Sequence, residues 1–224
     1  MNVALKPGAA LRHRSTVSAQ PFWRKNFRIL KMFLGGSALA MLVACAAVTP
    51  SKDLLAGMNA RGPAKTILQL DLKSAPALPP GEKGVDADFD GSGDALHLNG
   101  YDSYYRIFRI DPSQGKLKFV VRAYCRCLGF DKRQLVPVLR FITDTGEIID
   151  PSDTRYSLVQ AENFTPMSLK LRAFVAGNNI RYVVVAADNS QPDAVVQGLN
   201  FDAGLHLDVR SYPLGKFNLT YQSL

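Results

Sequence analysis

The stretch Asp86-Ala87-Asp88-Phe89-Asp90-Gly91-Ser92-Gly93-Asp94 packs four carboxylates into nine residues. Asp88, Asp90, Ser92 and Gly93 fall at the first, third, fifth and sixth places of a calcium loop, where a hard cation wants several oxygens on a sharply turned backbone. The twelfth place is Asn99, where a bidentate Glu belongs, and no helices flank the run. An acidic, Gly-rich turn leading into a strand is the competing reading. Asp86, Asp88, Asp90, Ser92 and Asp94 are therefore the candidate metal ligands, and calcium is the one cofactor the sequence suggests.

Cys125-Arg126-Cys127 is the second group. Residues two apart on a strand share a face at about 6.6–7 Å, the upper limit of Cα separation for a disulfide. A bridge would need a local kink. A disulfide, two ordinary thiols, or a fragment of redox or metal chemistry are the readings the pair allows, since two thiolates alone make an incomplete zinc set. His97 and His206 sit singly in alternating contexts, and there is no nucleophile elbow, phosphate loop or paired-His motif. The inventory points away from an enzyme. Tyr101, Tyr104, Tyr105 and Phe108 have the composition of a carbohydrate-stacking platform, or of ordinary cross-strand packing.

The elements that would carry these groups are strands. Lys116 to Tyr124, Ser168 to Val175 and Gly215 to Tyr221 alternate polar with apolar, as antiparallel strands with one wet face do. Leu135 to Thr143 and Glu147 to Asp150 read as a hairpin with a short second arm, with Pro137 at a strand start or an edge. Ser168–Val175 and Ile180–Ala187 read as a second hairpin, and Thr66–Leu72 as a half-buried strand. The expected fold is all-β, an antiparallel β-sandwich or jelly-roll-like domain of eight to ten strands over residues 66–224. Residues 45–65, with Pro50, Gly57, Gly62 and Pro63 and no apolar period, read as a flexible tether. No amphipathic helix is expected after residue 44.

The chain carries a net charge of +8. Seven of its cations, from Lys6 to Lys31, precede residue 45 and no acidic residue does, which leaves 20 basic and 19 acidic residues behind. The basic excess belongs to the leader, so no nucleic-acid partner is expected. In that leader a basic stretch, Arg24 to Lys31, precedes an apolar run of about a dozen residues, which is a signal-peptide pattern and too short for a spanning helix, which needs about 20.

Leu42-Val43-Ala44-Cys45 at the end of that run resembles the lipobox of bacterial lipoproteins. The resemblance implies a signal peptide over 1–44, cleavage before Cys45, lipidation of Cys45 and a domain anchored to a membrane through its lipid. Ala46 lacks the Asp that resembles an inner-membrane retention signal, so the expected location is the outer membrane, facing the periplasm. A second resemblance covers roughly residues 104 to 223. Gly115–Val121, Val136–Ile148 and Arg181–Val185, in that order, look like the maltose-operon periplasmic protein family. It implies an accessory role near carbohydrate uptake without catalytic residues. The expectation is a non-catalytic β-domain that binds a saccharide or an envelope protein; the alternative is a structural component of an envelope or secretion assembly.

Overall fold

The computed structural model describes residues 49–111, 115–128, 131–160, 166–176, 179–200 and 206–224. Cys45 and residues 1–44 lie outside the described residues. Fourteen strands are described rather than eight to ten, and they form an all-β sandwich of packed, mostly antiparallel sheets.

The first five-stranded sheet has the order β1 (Gly81–Phe89), β14 (Gly215–Ser223), β4 (Lys116–Tyr124), β10 (Ser168–Ala176), β9 (Asp153–Val159). The second runs β2 (Ala95–Leu98), β3 (Tyr101–Arg109), β11 (Ile180–Ala187), β7 (Pro137–Thr143), β8 (Ile148–Ile149). A smaller sheet joins β12 (Val195–Asn200), β13 (His206–Ser211), β6 (Asp131–Gln134) and β5 (Arg126–Leu128), with β13 and β6 parallel.

One core lies between the two large sheets. Leu117, Phe119, Val121 and Ala123 of β4, Leu171, Ala173 and Val175 of β10 and Phe217 and Leu219 of β14 face Leu139 and Phe141 of β7 and Val183, Val185 and Ala187 of β11. Phe119 meets Phe141 at 4.8 Å and stacks on Tyr221 at 5.5 Å. This is what period-two alternation yields when one face of each sheet is dry.

Ser168–Ala176 and Ile180–Ala187 do not form the expected hairpin. β10 pairs with β4 and β9, whereas β11 pairs with β3 and β7. The chain arches from one sheet to the other, so the apolar residues of β10 and β11 meet across the core instead of side by side. The Leu135–Asp150 region pairs as expected, Phe141 with Ile149 and Ile142 with Ile148, and Pro137 opens β7.

Thr66–Leu72 is not a strand. Thr66 and Gln69 close a capping box around a 3-10 turn at Ile67–Gln69, and these local bonds replace a ladder. The segment straps the outer face of the second sheet. It is pinned at one end by Lys65 N–H to Ala95 O and His97 N–H to Lys65 O, and at the other by Leu78 N–H to Arg109 O, at 2.7–2.8 Å. Between the pins Ile67, Leu70 and Leu72 pack on Leu96, Leu98, Ile142, Val184 and Ala186.

The expected tether is also ordered over most of its length. α1 (Ser51–Asn59) places Met58, 2 % exposed, in the main core with Leu54 and Leu55 against it. A nine-residue helix is not stable alone. Its three apolar residues suffice because the sandwich supplies the rest of the contact. Ser51 Oγ donates to Asp193 Oδ1 at 2.8 Å, and the Tyr212 hydroxyl donates to Thr49 O at 3.2 Å, fixing the start of the helix to the small-sheet end of the sandwich.

Candidate binding face

The outward face of the first sheet brings Asp86, Asp88 and Asp90 of the acidic run to one place with Cys125. Register puts Asp88 opposite Lys216 and Asp86 opposite Asn218, while Phe217 opposite Ala123 sets Tyr124 beside Lys216 on the outside. A groove of about 480 Å³ lies over this corner, lined by Asp86, Asp88, Tyr124 and Lys216. A second, of about 370 Å³, shares Asp88, Tyr124 and Lys216 and adds Asp90, Cys125 and Arg126. Residues of two motifs, the nearest of them Asp90 and Cys125, 35 residues apart in sequence, thus line one surface. Gly84 (φ +61) lets β1 bulge there: a Cβ would collide with the Leu219 carbonyl and Thr220 Cγ2.

The carboxylates do not converge as calcium ligands. Asp86 and Asp88 stand on the strand, and Asp86 Oδ1 accepts from Asn218 Nδ2 at 2.9 Å. Asp90 accepts from Ser92 N–H at 2.8 Å and from Ser92 Oγ at 2.7 Å. Those two donors hold its carboxyl below the ordinary range. Asp94 is engaged elsewhere, by Lys65 Nζ at 2.5 Å. Among the described residues no group of three His, Cys, Asp or Glu side chains comes together to hold a metal ion. An Asx turn meets the geometric demand that the loop pattern suggested for a cation.

Cys125 and Cys127 are joined by a disulfide with a Cα separation of 5.2 Å, shorter than an extended strand gives. The contraction falls where β4 leaves the first sheet and β5 enters the small one. Cys125 N–H, donated to Met167 O at 2.9 Å, is one step beyond the β4–β10 ladder. Arg126, between the cysteines, lies over the Tyr212 ring at 5.7 Å, and Arg133 over the same ring at 5.6 Å. Arg133 also pairs with Asp193, the acceptor of Ser51.

The aromatic platform does not exist as one surface. Tyr104 and Phe108 are 1 % and 3 % exposed in the main core, while Tyr101 and Tyr105 point to the strapped face of the second sheet. Alternation along β3 separates them. His97 Nδ1 meets Asp102 Oδ1 at 2.7 Å on an exposed edge, and no hydroxyl or thiol among the described residues is hydrogen-bonded to that ring. His206 opens β13.

Sequence reasoning missed one polar cluster. Tyr101, Tyr156, Asp188 and Arg140 approach one another where β9 and β7 face across the sandwich edge. Tyr156 leaves 46 % of its surface in solvent but donates its hydroxyl to Pro137 O at 2.9 Å. Burial first, then the Asp188 carboxylate, pushes both Tyr101 and Tyr156 up to about 12. The cluster ties the two sheets together at their edge, and the only signal for it in the sequence is a Tyr inside the polar segment Asp153–Ser157.

The chain matches no protein-family model, and no curated protein or solved structure is significantly similar to it. Among the described residues no helix is long and apolar enough to cross a membrane.

Proposed function

We propose that this chain is a non-catalytic binding module of the bacterial envelope, held to the outer membrane through lipidated Cys45, and that its ligand site is the groove over β1, β14 and β4. The observation that carries the reading is the meeting of Asp86, Asp88, Tyr124 and Lys216 on an uncovered sheet face beside the Cys125–Cys127 bridge. Carboxylates, an ammonium and a phenol ring in one shallow groove are the donor, acceptor and stacking set that a saccharide's hydroxyls and apolar face require. A saccharide is the ligand class this donor set suits, and an accessory role near carbohydrate uptake is what the resemblance over residues 104–223 implies.

Titration with neutral and acidic oligosaccharides, followed by amide resonances of Asp88, Tyr124 and Lys216, tests it. Shifts confined to that groove at millimolar sugar are the expected result. No shift with any sugar, together with an envelope protein crosslinked through position 216, would favour a structural component of an envelope assembly instead.

A further inference from the structure

The same sheet face carries a charge pattern that reaches well past the groove. Strand register places Lys116, Lys118 and Arg122 of β4, Lys170 and Arg172 of β10, Arg155 of β9 and Lys216 of β14 on the outer side. Among the described residues, the carboxylates that the register places on that side with them are Asp86, Asp88 and Asp153. Arg122 stands directly opposite Lys170, and Arg172 directly opposite Arg155. Like charges in such cross-strand pairs repel and destabilise a sheet.

Neutralisation within the fold is sparse. Arg155 reaches Asp153 at 3.1 Å and Lys116 lies over the Phe174 ring at 4.9 Å, but among the described residues no carboxylate pairs with Lys118, Arg122, Lys170 or Arg172. Burial first, then Arg172, Arg122 and Lys118, lowers the Lys170 ammonium below its ordinary value, as expected of crowded cations. The array spans about 26 Å along β4 and about 15 Å across four strands. It is a positive surface whose repulsion an external anion would relieve.

The length of the tether bounds how far the domain can stand from its anchor. Thr49 is already fixed to Tyr212, and α1 is seated in the core, so only four residue steps separate Cys45 from the domain. Four steps reach at most about 14 Å. A chain of contacts links the point of attachment to the groove at the corner of the basic face: Tyr212, which holds Thr49, carries Arg126 on its ring, and Arg126 lines the groove with Tyr124 and Lys216.

Resting on the lipidation of Cys45, we propose that this basic face lies against the anionic phospholipid headgroups of the membrane that holds the anchor. The acyl chains keep the domain at the bilayer, and the sheet face sets its orientation there by charge. The groove at the face's corner then opens at the membrane surface.

The test uses the lipidated mature chain, isolated from the envelope and added to preformed vesicles. One set is phosphatidylcholine alone and the other contains about 30 % phosphatidylglycerol. An impermeant amine-acylating reagent reads Lys118, Lys170 and Lys216 by peptide mass, with exposed Lys73 on the strap as reference. The expected result is labelling of the three face lysines slowed at least about threefold on the anionic vesicles, Lys73 unchanged, and the protection lost at about 1 M salt, where screening acts within about 3 Å. Equal rates on both vesicles would overturn the face's assignment while leaving the anchor intact. Protection by a soluble acidic polysaccharide but not by anionic vesicles would overturn it in favour of a glycan partner. An unmodified Cys45 in the intact mass would remove the tether and overturn the anchor and the membrane-facing surface together.

Discussion

The two large sheets share a core and differ in their outer faces. On the first sheet, β4, β10 and β14 alternate almost strictly, and the outer side is charged and open. On the second, β11 reads Ile180-Arg181-Tyr182-Val183-Val184-Val185-Ala186-Ala187, apolar on both sides through most of its length, and the outer face is sealed by the strap at 65–78. Alternation in a strand therefore reports more than strand identity: where it is strict the second face meets solvent, and where it fails another part of the chain must cover it. The face that no described segment covers is the one with the groove and the basic array.

The strap supplies the largest test of that contrast. Leu70 is 8 % exposed on the outer face of the second sheet, whereas Leu68, two residues earlier, is 82 % exposed. Leu70→Ala is expected to lower unfolding free energy by about 2–3 kcal/mol, the low part of the range for buried leucines because an edge segment can partly collapse. Leu68→Ala is expected to stay within about 0.5 kcal/mol. Urea denaturation of both variants checks this; equal losses, or none from Leu70→Ala, would break the picture of a strap that seals an apolar face.

The strap also marks where sequence reading stops. Strand identity was legible wherever one face is dry and the other wet, as in Lys116–Tyr124, Ser168–Ala176 and Gly215–Ser223, because burial imposes period two directly. Sheet membership was not. The segments 168–176 and 180–187 have hairpin spacing, yet their partners are set by non-local pairing that adjacent sequence does not encode. Thr66–Leu72 alternates in sequence without being a strand: the capped turn sets Ile67, Leu70 and Leu72 against the neighbouring sheet and leaves Leu68 in solvent. α1 escaped notice because its apolar contribution is three residues, which gain stability only from a core formed by strands far along the chain. The site was legible in parts: the acidic run and the cysteine pair stood out by type, while the register that unites them depends on β14, more than 85 residues beyond Cys127.

A middle-sized effect is expected where the two sheets touch at their edges. Tyr101 and Tyr156 have folded-state values raised from 10.0 to about 12, so the folded protein retains these protons after the unfolded chain has lost them. The sign follows: the stabilisation is complete below pH 10 and is lost as pH rises toward about 12. Tyr156→Phe removes the hydrogen bond to Pro137 O, a loss of about 1 kcal/mol at neutral pH, and should also flatten the decline above pH 10. Urea midpoints measured across the alkaline range decide it. An unchanged alkaline slope would mean that the edge cluster does not link the sheets.

The smallest effect has the opposite sign, and this makes it the sharpest probe of the open face. Lys170 faces Arg122 across the ladder, with Arg172 and Lys118 close by, and the repulsion among them costs stability that no carboxylate among the described residues offsets. Lys170→Gln should therefore stabilise the protein, by about 0.2–1 kcal/mol at low ionic strength. The gain should fade in about 1 M salt, where screening shortens to about 3 Å. Because the Lys170 value lies below its ordinary 10.5, the folded protein sheds this proton first, so the penalty is full at neutral pH and disappears as pH climbs past that ordinary value. The gain from Lys170→Gln should follow the same course, and thermal melting at two salt concentrations measures it. A loss of stability on removing Lys170 would mean that its aliphatic stem, rather than its charge, is what this face needs, and the two sheets would then differ less than their outer residues suggest.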